Sequence, residues 1–364
     1  MKVLIITKTI NPTSGWGRLS IEPIKRISKI YETVVLSEDD VENEDLGFKY
    51  VKILQNNNLL NFLRNCLTSY KIGKNIDVIH ALDLWPYGVY AFFASRFGKK
   101  KYLISGIGTY SVAPLKKKFG WLLKLVYRRA FSVPCISQYT KDRIDELAPG
   151  AKTQITHLGL SDFSDVKANE SFLNEHGITK KDYPVIVTVG EIKGRKGQTY
   201  TAMAVKKIKN KYPNIKYLIV GGSSYENYIK QIKEIDKSVG GNTMLVIDDA
   251  DTDAELRALY ERADIFALNS VNDEFYHFEG FGIVILEANQ FGVPAIGSRD
   301  CGIEEVIMDG VNGYLCEQRN PDDIAEKIEK ILAKGKEFWK KNSIAHTKNF
   351  LWDGIVERYF KYYR

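Results

Sequence analysis

Two carboxylates eight positions apart, Glu279 and Glu287, bracket the most chemically suggestive stretch of the chain, EGFGIVILEANQFGVPAIG over residues 279–297. Gly280 and Gly282 flank Phe281 just after the first of them. Each glycine is about 1 kcal/mol unfavourable inside a helix, so this part is predicted to be a turn. Ile283 to Gln290 is predicted to be a helix, stopped by Gly292 with Pro294 beyond. A loose turn that opens a helix leaves amide N–H groups free at the positive end of the helix dipole, where phosphate binds. Eight residues at helical rise span at most about 12 Å. A hexose, a diphosphate and a ribose in line are about that long, and the hydroxyls at both ends suit carboxylate acceptors. Glu287 lies in the apolar run Ile283-Val284-Ile285-Leu286-Glu287-Ala288. It is therefore expected to be partly buried and to need a partner.

A second cluster could act on the same ligand. Residues 188–197 read TVGEIKGRKG, with a strand predicted to end at Gly190 and a helix to start near Gln198. Arg195 and Lys196 stand at this strand-to-helix turn with Lys193, placed to neutralise a diphosphate. Glu191 in the same turn would repel one. Near the start, NPTSGWGRLS carries Gly15 and Gly17 in a loop before a helix, where backbone can approach phosphates closely.

These segments resemble retaining glycosyltransferases of family 4, which have the GT-B fold. Glu279 and Glu287 match the E-x7-E motif of that family. Asp253 to Ser270 resembles the helix and strand that lead into the motif. Cys301-Gly302-Ile303-Glu304-Glu305 resembles its Gly-Gly-x-x-Glu turn, with Cys301 at the first glycine. Met308 to Tyr314 and Pro321 to Ala325 resemble the segments that follow. The likeness runs in order through most of residues 185–335 and is looser over the first half. Lys196-Gly197 match the family's Lys-Gly, while Glu191 stands at the family's arginine. Ile107, in Ser105-Gly106-Ile107-Gly108, stands where its acceptor domain usually has histidine.

The resemblance implies a metal-independent hexosyltransferase that retains configuration at the anomeric carbon. Glu279, Lys196 and Arg195 would act at the sugar and the leaving diphosphate. Glu287, Gly280, Phe281, Gly282, Gly15, Gly17 and Gly190 would hold the donor. No cofactor is expected beyond the nucleotide-diphosphate sugar, which is the donor substrate, and the acceptor would be a glycan or lipid-linked. The same residues leave open a nucleotide-sugar epimerase of the same fold. They also leave open a catalytically impaired sugar-nucleotide-binding partner, to which Glu191 and Ile107 point.

The remaining sequence must supply elements that position these groups. Short β-rich runs alternate with helical patterns along the 364 residues, which predicts parallel α/β sheets in two Rossmann-like domains facing a central cleft. The predicted domains are an acceptor-binding one over 1–165 and a nucleotide-sugar-binding one over 166–344, with an aromatic tail, 345–364, packing back on the first. A dinucleotide-binding fingerprint should follow the first strand directly, and Gly15 and Gly17 come too late for one. Four scattered cysteines and five histidines show no metal-ligand spacing, and Asp249 to Asp253 reads as a turn and helix cap. His80 and His157 read as structural.

No apolar run approaches 18 residues, and the four-residue run after Lys2 suits a first strand rather than a signal peptide. A cytoplasmic location is expected. Residues 1–165 carry an excess of nine positive charges, whereas the rest carries an excess of two negative ones. No nucleic-acid module is legible. The basic, aromatic segment 115–131, LKKKFGWLLKLVYRRAF, is expected to be a helix lying at an anionic membrane surface.

Overall fold

The computed structural model describes residues 1–12, 14–39, 47–163 and 165–364. Thr13 of the early glycine loop lies outside the described residues. The chain divides into two compact units, Met1–Gly159 with Phe350–Arg364, and Leu160–Asn349. The sequence placed this boundary at 165 and the start of the returning tail at 345.

In the first unit, β1 (Lys2–Ile6), β2 (Glu32–Ser37), β3 (Lys49–Lys52), β4 (Val78–Ala81) and β5 (Lys101–Ile104) form a parallel sheet of order β3-β2-β1-β4-β5. A parallel pair, β6 (Val133–Cys135) and β7 (Thr153–Ile155), continues from β5 through the Leu103–Ser132 and Gly106–Cys135 bridges. Val3 to Ile6 and Val34 to Leu36 are buried, as expected for strands covered on both faces. β3 escaped the sequence reading because KYVK is a short edge strand with exposed lysines at both ends.

The helix Trp352–Tyr363 buries Trp352, Ile355, Val356, Tyr359, Phe360 and Tyr363 in this same unit. Tyr363 Oη lies 2.7 Å from His80 Nδ1, and Ser105 Oγ lies 2.8 Å from His80 Nε2. Burial lowers the His80 pKa to about 3, so the ring is neutral and both its nitrogens are committed to structure.

The second unit holds β8 (Val185–Val189), β9 (Lys216–Val220), β10 (Met244–Ile247), β11 (Ile265–Leu268), β12 (Ala295–Ser298) and β13 (Gly313–Cys316). Their order, β10-β9-β8-β11-β12-β13, is all parallel and is that of a dinucleotide-type Rossmann sheet. Its core gathers Ile186, Tyr217, Ile219, Ile265 and Ile296 from the strands. Val205, Ile328 and Trp339 cover them from the helices. In open α/β sheets ligands bind beyond the carboxyl ends of the strands, and it is there that the candidate residues gather.

Candidate active site

β8 ends at Val189 and the chain turns through Gly190, whose φ is +137°. A single 3-10 turn, Gly194–Lys196, then leads through Gly197 into the helix Gln198–Ile208. A Cβ on Gly197 would lie 1.8 Å from the Asn269 carbonyl oxygen, at the end of β11. Only glycine permits this approach, and it brings the basic turn against the segment that carries Ser270 and Glu279. Val271 N donates to Arg195 O at 2.8 Å and locks the two together.

Three groups then converge on one carboxylate. Lys196 Nζ lies 2.7 Å from Glu279 Oε2, Arg195 Nη1 lies 3.3 Å from it, and Ser270 Oγ donates to it at 3.2 Å. Arg195 also donates to the Phe278 carbonyl at 3.0 Å. The Glu279 side chain is 14% exposed. Burial pushes its carboxyl upward, but the charges of Lys196 and Arg195 and the hydrogen bonds from Lys196 and Ser270 outweigh burial and hold it down at about 2. The cluster is a fixed anion between two cations, with one positive charge in excess. Glu191, expected to oppose a diphosphate, is ion-paired with Lys193.

The turn after Glu279 is held from the other side. Gly302 N donates to Glu279 O at 2.8 Å, and a Cβ on Gly302 would lie 1.9 Å from the Gly280 carbonyl. This close approach explains why the Cys301-Gly302 turn has glycine at its second position. Phe281 is buried. Gly282, with φ +86°, caps the helix Ile283–Gln290 without a side chain to occupy its first amides. That helix has the bounds expected from sequence. On it Glu287 is 7% exposed and accepts a 2.9 Å hydrogen bond from Tyr260 Oη. The expectation of a buried, partnered carboxylate is met by a residue that sequence reasoning did not single out.

Gly190, Arg195, Lys196, Glu279, Gly280, Phe281, Gly282 and Glu287 all belong to the second unit, and Arg195, Lys196 and Glu279 meet in one cluster. Gly15 and Gly17 belong to the first unit, where they open the helix Gly15–Ser28. Ser14 Oγ accepts from Gly17 N at 3.0 Å, and Gly17 packs so closely on Asn11 that a Cβ would collide with its carbonyl. Ser270 and Tyr260 were missed. Ser270 lies two residues past the end of β11, which is a positional signal; Tyr260 lies in the helix Asp253–Arg262 with no motif of its own.

Among the described residues no group of three or more His, Cys, Asp or Glu side chains is placed to hold a metal ion. Thr252 caps the helix Asp253–Arg262 in a capping box with Glu255, so the neighbouring aspartates serve a helix start. The segment 115–131 is a 3-10 turn, Ala113–Lys116, followed by the helix Gly120–Arg129. Leu123, Val126 and Tyr127 are buried as core packing, while Phe119 is 61% and Trp121 67% exposed beside Lys116, Lys117 and Lys118. No helix of the described residues is long and apolar enough to cross a membrane.

Two Rossmann-like units, one carrying paired cations and carboxylates at the carboxyl ends of its strands, make up a GT-B fold. Residues 170–345 match the family described as "Glycosyl transferases group 1", and the chain is a glycosyltransferase that uses a nucleotide-sugar donor. It is similar to an uncharacterized glycosyltransferase of Methanocaldococcus jannaschii, 25% identical over 98% of this chain and 96% of that one. It is 26% identical, over 68% of this chain and 65% of the relative, to the GDP-mannose-dependent alpha-(1-6)-phosphatidylinositol monomannoside mannosyltransferase of Mycolicibacterium smegmatis. The structure of Anabaena HepE in complex with UDP and glucose superposes with a TM-score of 0.79 at 18% identity, covering 99% of this chain and 98% of that one.

Proposed function

We propose that the chain is a retaining, family 4 transferase that moves a hexose from a nucleotide-diphosphate donor to a glycan or lipid-linked acceptor. The observation that carries this reading is the convergence of Lys196 and Arg195 on Glu279 beside a helix start with no side-chain cap. In this reading the two cations and the helix amides receive the diphosphate and stabilise the charge that develops as it leaves. Because that charge is met by side chains and amides, turnover proceeds without a metal or other cofactor. Glu279 orients the sugar and, being held ionised, accepts from its hydroxyls rather than donating a proton. Glu287 accepts from the ribose hydroxyls, and Tyr260 keeps its carboxylate in place. Gly190, Gly280, Phe281 and Gly282 shape the donor wall.

Two relatives support parts of the reading: one named for GDP-mannose and a phosphatidylinositol mannoside, the other bound to UDP and glucose. The enzyme works in the cytoplasm, at the inner face of an anionic membrane, through the exposed Lys116, Lys117, Lys118, Phe119 and Trp121.

Titration calorimetry with UDP-, GDP- and dTDP-sugars, followed by donor hydrolysis and transfer in the wild type and in Lys196→Ala, tests the site. Loss of one preorganised charge-stabilising donor lowers turnover by about 10²–10³-fold. Wild-type turnover in Lys196→Ala would refute the assignment. Tight donor binding without any turnover in the wild type would mark a binding protein instead.

A further inference from the structure

The first unit contains a cavity of about 630 Å³ whose walls include none of the residues placed in the donor site above. Its walls come from the segments that follow all five strands of the main sheet. Lys8 and Trp16 follow β1, Glu38 follows β2, Gln55 to Asn57 follow β3, Asp83 and Trp85 follow β4, and Tyr110 follows β5. This is the ligand-binding edge of a parallel sheet, and the size fits a small-molecule pocket.

The wall chemistry is specific. Asp83 is 4% exposed, and its Oδ1 already accepts from Leu84 N at 2.7 Å and Ser111 Oγ at 2.8 Å. Its Oδ2 takes no hydrogen bond from any described residue. A buried carboxylate oxygen on a cavity wall, lacking a protein donor, calls for a donor from a ligand. Burial outweighs the hydrogen bonds from Ser111 and Leu84 and pushes the Asp83 carboxyl up to about 7. Glu38 sits on the same wall, oriented by a 2.8 Å hydrogen bond from Tyr87 Oη. Among the described residues of the wall, the exposed Lys8 is the one cation set against these two acidic groups.

Aromatic surface completes the wall. Trp16 and Tyr110 meet edge to face with centroids 5.6 Å apart, and Trp16 Nε1 has no acceptor among the described residues. Phe62 stacks on Trp85 at 5.3 Å and steadies a ring that remains 39% exposed.

Acidic acceptors, amide side chains and steadied aromatic rings suit a ring that offers hydroxyl donors on its edge and C–H groups on its face. A phosphate would face two carboxylates and one exposed lysine, with no guanidinium among the described lining residues. We propose that this cavity binds a neutral, unphosphorylated sugar ring of the acceptor, with hydroxyls donating to Asp83 and Glu38 and the ring lying against Trp85. The proposal rests on the glycosyl-transfer reading and deepens it: the acceptor is selected as an uncharged saccharide rather than a sugar or polyol phosphate.

Saturation-transfer NMR on the full-length protein tests it. The probes are the methyl glycosides of glucose, galactose, mannose and N-acetylglucosamine, and the 6-phosphates of glucose and mannose. At least one neutral glycoside is expected to receive saturation on its ring protons, with the phosphates at least ten-fold weaker. Trp85→Ala and Asp83→Asn are each expected to lower the signal five-fold or more, and Trp85→Phe to keep it. Melting of the first unit in scanning calorimetry, measured on the same samples, reports that each variant is folded. Phosphates that bind as well as neutral glycosides, no saturation from any neutral glycoside, or a signal that survives both Trp85→Ala and Asp83→Asn would overturn the proposal. Glycoside binding in a protein that binds no nucleotide sugar would instead sink the donor reading and leave the cavity assignment standing.

Discussion

Replacing Glu279 by glutamine tests the electrostatics of the donor cluster without needing the substrate. The glutamate is held at about 2 against an ordinary value of 4.5, by Lys196 at 2.7 Å and Arg195 at 3.3 Å overcoming its burial. At 1.36 kcal/mol per pKa unit this is on the order of 3 kcal/mol of folding stability at neutral pH. A depressed carboxyl contributes stability that is present above 4.5 and is lost as pH falls toward 2. Glutamine stands in for the protonated acid. It keeps an acceptor for Ser270 and removes the charge that the two cations meet. The difference between wild type and variant is therefore about 3 kcal/mol at pH 7 and about 2 kcal/mol at pH 3.5. The second unit falls in the 150–250-residue class, where 1 kcal/mol moves the melting temperature by about 2–4 °C. Glu279→Gln is expected to lower the melting temperature of that unit by about 6–12 °C at pH 7 in scanning calorimetry, and by less at pH 3.5. A shift under 2 °C at pH 7, or one that does not shrink on acidification, would show that the cations do not stabilise this carboxylate.

Asp83 is expected to behave with the opposite sign. Its folded value of about 7 lies above the ordinary 3.8, so the stability it contributes is full below 3.8 and is lost as pH rises through 7. Asp83→Asn should then raise the melting temperature of the first unit at pH 8, by up to roughly 4 kcal/mol in stability terms, and change little at pH 4. Glu287→Ala should weaken nucleotide binding by about 1.5–3 kcal/mol, with Tyr260→Phe weakening it less; unchanged calorimetric affinity in a folded Glu287→Ala protein would end the ribose assignment. Turnover should survive EDTA, and strict dependence on added Mg²⁺ would contradict charge stabilisation by Lys196 and Arg195 alone. Replacing Lys116, Lys117 and Lys118 with serine should release the protein from anionic vesicles in low-salt co-sedimentation, at about 1 kcal/mol per lysine; equal partitioning would make the Gly120–Arg129 helix a packing element only.

What the sequence disclosed was local. Ile283–Gln290 was readable to the residue because Gly282 and Gly292 punctuate it and the apolar run between them has one period. The Lys196-Gly197 turn was readable because a cationic pair and a glycine end a β-branched strand. The meeting of Lys196 with Glu279 spans 83 positions and has no local signature. It depends on Gly197 seating against Asn269, which only the folded sheet reveals. Tyr260 reaches Glu287 in the same way, across two helices. The cavity of the first unit was hidden more completely. Trp16, Glu38, Asp83, Trp85 and Tyr110 come from four separate strand ends, and each alone reads as an ordinary loop residue. Strand order, which sequence spacing does not encode, is what brings them to one edge.

The return of Trp352–Tyr363 to the first unit has a consequence for how the chain is made. His80 waits for Tyr363, 283 positions downstream. At 5–20 residues per second, a ribosome needs about 10–40 s to synthesise the intervening Leu160–Asn349 unit. The second unit can therefore complete itself as it emerges, while the first, although made earlier, stays open along the face that Trp352, Tyr359, Phe360 and Tyr363 will cover. The order of synthesis and the order of completion are reversed.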